Sequence, residues 1–93
     1  MSKLPINLEK VSSKDIDKII LRTAIIAELD AISLYEELAA MTNNENLKKV
    51  LLDVAKEEKT HVGEFLALLN IEDEEQKKEL REGEEEVKEI LEG

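Results

Sequence analysis

Between Ser13 and Met41 the chain contains neither proline nor glycine, and its apolar residues return every three or four positions. That pattern is one long amphipathic helix, roughly 42 Å at about 1.5 Å of rise per residue. The helix opens at Ser12-x-x-Asp15, a loose capping box ahead of Ile16. Thr42-Asn43-Asn44-Glu45 then combines turn formers with a second capping box, Thr-x-x-Glu. Helical spacing resumes from about Glu45 to Leu69, where Asn70 is expected to break it. Asp73-x-x-Gln76 caps a shorter third segment, with Leu80, Val87 and Leu91 as a thin apolar stripe around Gly83. The spacing therefore predicts one all-α domain over 1–93, with helices at about 13–41, 45–69 and 73–91. No repeat and no long linker interrupts it.

Two long helices joined by so short a turn make an antiparallel hairpin. A hairpin has a single mutual seam, yet helix 1 is apolar over much of its circumference, with Ile16, Ile19, Ile20, Leu21, Ile25, Ile32, Leu34 and Leu38. One partner helix and a short acidic segment cannot cover that surface. The economical solution is a homodimer, in which two hairpins complete a four-helix bundle.

Composition excludes several kinds of chemistry. There is no Cys, so disulfides, thiolate metal sites and Cys nucleophiles are out. Three scattered glycines make no phosphate-cradling loop. The net charge is −10, and beyond Ile71 eleven acids face four bases. Such a chain suits neither nucleic acid nor an anionic membrane. Nothing in it is apolar enough to span a bilayer, and residues 1–12 lack an export-signal pattern, so a cytoplasmic setting is expected.

Against this background three polar residues stand in the wrong place. On a helical wheel Glu28 lies within the stripe of Leu21, Ala24, Ile25, Ile32, Tyr35 and Ala39. Glu58 lies within that of Leu47, Leu51, Val54, Val62, Phe65 and Leu69, and His61, the sole histidine, follows one turn later on the same face. A carboxylate buried without a partner costs several kcal/mol, or is neutralised. If the hairpin pivots at Asn43, Glu28 stands fifteen residues before it and Glu58 fifteen after, at one height. His61 is then about 4.5 Å further along the axis.

One chain thus offers two carboxylates and one imidazole; a two-fold axis beside this level doubles the set. Single Glu residues from two helices and Glu-x-x-His from two others make the di-iron and di-manganese sites of helix bundles. Hard carboxylates with imidazole suit iron or manganese, and zinc would also bind. Paired Fe(II) could deliver electrons jointly to dioxygen or peroxide, although ligand identity alone does not select that chemistry. Tyr35 lies two turns beyond Glu28 and leans back toward it, open to a role beside the site or to one as an ordinary core tyrosine. Glu57 points away as a boundary residue, Asp30 and Glu64 read as solvated, and Glu84-Glu85-Glu86 as a solubilising face.

The stretch AIIAELDAISLYEELA (24–39) followed by LLDVAKEEKTHVGEFLALL (51–69) resembles the encapsulated ferritins of the ferritin-like superfamily. It is similar in particular to the ferritin-like domain fused ahead of the shell protein in some archaeal encapsulins. The likeness covers about 16–70 and extends more loosely through EEVKEI (85–90). It implies a ferroxidase with a di-iron centre at a subunit interface, held by Glu28, Glu58 and His61 of each chain, with Glu58 bridging and Tyr35 close by. It further implies a ring of dimers, often five and hence a decamer, inside an encapsulin nanocompartment in whose lumen oxidised iron mineralises. Two departures stand out: position 27 is Ala where relatives add an acid, and VKEILEG carries no recognisable shell-targeting peptide. Competing readings are a rubrerythrin-like peroxide reductase using the same ligands, and a non-catalytic dimerisation or cargo module whose Glu/His layer only sets register.

Overall fold

The computed structural model describes residues 12–93, so the N-terminal stretch read for an export signal lies, apart from Ser12, outside the described residues. Three helices follow one another: α1 (Ser13–Met41), α2 (Glu45–Glu72) and α3 (Glu74–Glu92). At the start of α1 the Ser12 hydroxyl accepts from the Asp15 amide at 3.3 Å and donates to the Asp15 carboxylate at 2.9 Å. The two residues thus close on each other at the helix entrance.

The turn into α2 is capped differently from the Thr42-x-x-Glu45 expectation. Asn44 is the cap, its Oδ1 accepting from the amides of Asn46 and Leu47 at 3.0 and 3.1 Å. Thr42 stands one step back, its hydroxyl accepting from the Asn44 amide at 3.1 Å. A single side-chain oxygen that serves two of the orphan donors of a helix start outcompetes one that serves a single donor. At the other end α2 runs through Asn70 to Glu72. Asparagine is a weak helix former but not a stop, and Leu69, almost fully buried, anchors that turn by packing.

α1 and α2 lie antiparallel against each other. The most buried residues of the seam are Ala39, Ala55 and Leu69, at 2%, 2% and 3% exposure. Small alanines on facing helices let the backbones approach, so the seam is tight but narrow. Much of the apolar surface stays uncovered: Ile20, Leu38, Leu47, Val50 and Leu68 are all exposed. Ile20 and the half-buried Leu21 of α1 share a shallow depression with Leu68 of α2, which places Ile20 and Leu68 on one face of the hairpin. A Lys59–Glu36 pair at 3.2 Å bridges the helices in solvent and adds about 0.2–1 kcal/mol at most.

α3 leaves this hairpin at an angle, and the molecule measures 48 × 44 × 20 Å. No residue of α3 is buried; Leu80 is half-buried, whereas Val87, Ile90 and Leu91 are exposed. Among the described residues no helix is long and apolar enough to cross a membrane.

Candidate metal centre

Glu28 comes from the middle of α1, while Glu58 and His61 come from one face of α2, a single turn apart. Antiparallel packing brings the three to one level. Each offers one ligand atom, and those atoms lie within 4.8 Å of one another. His61 turns Nδ1 toward both carboxylates, 3.4 Å from Glu28 Oε2 and 3.4 Å from Glu58 Oε2. The imidazole therefore sits between two acids contributed by different helices.

Burial is uneven in a way that bears on chemistry. The side chains of Glu28 and Glu58 are 21% and 18% exposed, whereas that of His61 is 42% exposed. The carboxylates are half-sunk in the hairpin seam, and the cluster opens on the side where His61 stands. Glu28 Oε2 is buried and has no hydrogen-bond partner. Its approach to Nδ1 lacks hydrogen-bond geometry, so this oxygen carries the desolvation cost of burial without compensation, about 1–3 kcal/mol or more for a charged group. A cation at the focus of the three ligand atoms would remove that cost. The donor set fits such an ion: two hard oxygen donors and one imidazole, as iron or manganese prefers.

Not every acid noted in the sequence joins the cluster. Asp30, Glu57 and Glu64 are exposed and stand outside it, as does the solvated run Glu84-Glu85-Glu86. Tyr35 is half-buried two turns farther along α1. The structure also shows a contact with no counterpart in the sequence pattern: the Arg22 guanidinium donates to Asp73 Oδ2 at 2.7 Å, joining α1 to the α2–α3 junction. Those residues are 51 positions apart, and no local spacing rule links them. The only hint was Asp73 itself, which the capping pattern had already singled out.

Residues 20–92, which contain the whole cluster, match the rubrerythrin family. The chain belongs to that family. The chain is also similar to the ferritin-like-encapsulin shell fusion protein of Pyrococcus furiosus, 59% identical over 85 residues. Those residues are 91% of this chain but 25% of the relative, so the chain spans about a quarter of that protein's length. Among solved structures, the crystal structure of the encapsulated ferritin domain from Pyrococcus furiosus matches with a TM-score of 0.84 at 56% identity. The match covers 97% of this chain and 94% of that one. The fold of this rubrerythrin-family chain is thus the all-α, ferritin-like helical bundle, and the resemblance read from 24–39 and 51–69 holds across nearly the entire sequence.

Proposed function

We propose that the protein is a ferroxidase, oxidising Fe(II) to Fe(III) at a site shared by two copies of the chain. The observation that carries this reading is the buried, unpartnered Glu28 Oε2 clustered with Glu58 and His61. Fe(II) is the substrate, held by Glu28, Glu58 and His61 of each copy, with Glu58 bridging. Two Fe(II) ions side by side give up one electron each; with two protons these convert dioxygen to hydrogen peroxide. Anionic carboxylates between the cations offset their mutual repulsion, and a neutral imidazole donates its lone pair without adding positive charge.

A shared site also gives the exposed apolar residues a purpose. Ile20, Leu47, Val50 and Leu68 would be covered by the same residues of a second hairpin, completing a four-helix bundle with isologous faces. Dimers of this kind would assemble further into a ring. The name of the Pyrococcus furiosus relative, a fusion to an encapsulin shell, supports an association with an encapsulin shell; the proposed setting is inside such a nanocompartment in the cytoplasm, with oxidised iron stored in its lumen. Tyr35, leaning back toward Glu28, would act beside the site.

Aerobic Fe(II) oxidation by the purified protein tests the reading. Glu58→Ala and His61→Ala are expected to reduce the rate to that of buffer alone; undiminished oxidation in both variants would refute it. The rubrerythrin match favours one rival, a peroxide reductase at the same site. That reaction needs an electron donor such as a rubredoxin-type centre, and this chain has no Cys to hold one. Iron turnover measured beside peroxide consumption, with a reductant supplied, separates the two activities.

A further inference from the structure

One residue, Asp73, is all that separates α2 from α3, and three helices meet on it. Its backbone is extended, with φ −138° and ψ 94°, between two helical stretches. Its amide donates to the Leu69 carbonyl at 2.9 Å, closing the end of α2. Its Oδ1 accepts from the Gln76 amide at 3.0 Å, capping the start of α3. Its Oδ2 accepts from Arg22 Nη2 of α1 at 2.7 Å. The Asp73 side chain is 11% exposed, and Asp73 is the buried polar residue of the described chain. α3, by contrast, buries no residue of its own. Leu80 is half-buried and shares a shallow depression with Leu66 of α2, but a helix with no fully buried residue has little packing energy with which to choose a direction.

We propose that the Arg22–Asp73 bridge is a latch that sets the direction of α3 relative to the hairpin, with Asp73 as a one-residue hinge. The capping bond and the bridge use different oxygens of one carboxylate, so the orientation that starts α3 is also the orientation that meets α1. Without the bridge the cap can persist, but the side-chain tie between the capped helix and α1 is lost. α3 then samples several directions about Asp73 while remaining helical.

The electrostatic surroundings favour a closed latch at neutral pH. The Gln76 amide is the largest influence holding the Asp73 carboxyl below the usual carboxylate range; Lys18 and Arg22 of α1 and the Glu75 amide act in the same direction, while burial opposes them. Acids lie nearby as well: Glu72 at the end of α2, beside Asp17 of α1, and Glu74 and Glu75 in the first turn of α3. A depressed carboxyl contributes its stabilisation above its unfolded-state pKa and loses it as pH falls through the folded-state value. Acid therefore opens the latch and alkali does not.

The test is a distance measurement on the full chain. Spin labels at Lys49→Cys on α2 and Lys88→Cys on α3 use the absence of native Cys, and excess unlabelled chain suppresses signals between copies. The parent should show one narrow distance distribution, and Arg22→Gln a broad or multiple one with unchanged helix content by circular dichroism. Asp73→Asn, whose amide oxygen can still cap α3, should behave as Arg22→Gln does. Lowering the pH below the usual carboxylate range should convert the parent to the Arg22→Gln pattern and leave that variant unaltered. A narrow, unshifted distribution in Arg22→Gln would overturn the proposal, as would a broadening that appears only with loss of helix.

Discussion

The hairpin and α3 are built from similar helix-forming residues, yet they are held by different forces. α1 and α2 share a seam in which Ala39, Ala55 and Leu69 are nearly inaccessible, so their relative placement is set by close packing along their length. α3 has an apolar stripe but no buried residue, and its side-chain link to α1 runs through one aspartate. Packing is distributed over many contacts and tolerates small losses; a single ion pair does not. The rigid hairpin carries the candidate metal cluster, whose three potential ligand atoms come from two helices and must keep their spacing. The loosely packed α3 holds nine acids against four bases, where precise placement matters less.

This contrast can be broken most decisively at the cluster. Glu28→Ala is expected to abolish catalysed Fe(II) oxidation while leaving the hairpin folded, or even more stable in metal-free buffer, because it removes an unsatisfied buried oxygen. Parallel oxidation assays and thermal melts check both halves of that statement. Next in size is a matched pair of truncations. Leu69→Ala should cost about 2–5 kcal/mol of global stability in denaturant unfolding, whereas Val87→Ala, made on an exposed residue, should fall within about 0.5 kcal/mol. Equal costs would mean that α3 is as firmly packed as the hairpin.

A third measurement uses acid. Exchange of the first-turn amides of α3, which the Asp73 carboxylate caps, should accelerate as pH falls through the depressed Asp73 value, once the intrinsic pH dependence is removed, while the rest of α3 and the seam amides of α1 and α2 stay protected. The smallest effect sharpens the comparison with one substitution in both regions. A methyl added at Gly63 in α2 or at Gly83 in α3 meets nothing within 4 Å. Each Gly→Ala change should therefore stabilise its helix by about 0.5–1 kcal/mol. In the hairpin that gain should appear in global unfolding; in α3 it should appear only as slower local exchange.

Much of this organisation was legible in the residues. Helical periodicity, the absence of Gly and Pro before Met41 and the short polar turn led to a hairpin, because each depends on neighbours within one or two turns. The same periodicity placed Glu28, Glu58 and His61 on apolar stripes, and equal distances from Asn43 placed the two acids at one height. Cap identity was less legible: Thr42 and Asn44 both suit the start of α2, and only the bonds formed show that Asn44 serves two amides. α2 continues past Asn70 to Glu72, because burial of the adjacent Leu69 outweighs a modest propensity.

By itself, then, the amino-acid sequence determined three helices, their faces and the candidates for a site, since these follow from hydrogen bonds and side-chain spacing along one backbone. Tertiary structure alone decided that Glu28 Oε2 is stranded beside a half-open imidazole, that Arg22 reaches Asp73, and that α3 departs from the hairpin instead of lying on it. Those outcomes depend on how far apart two helices pack, how each is rotated and which rotamer a side chain adopts. Periodicity narrows a residue to a face; only packing turns that face into a distance.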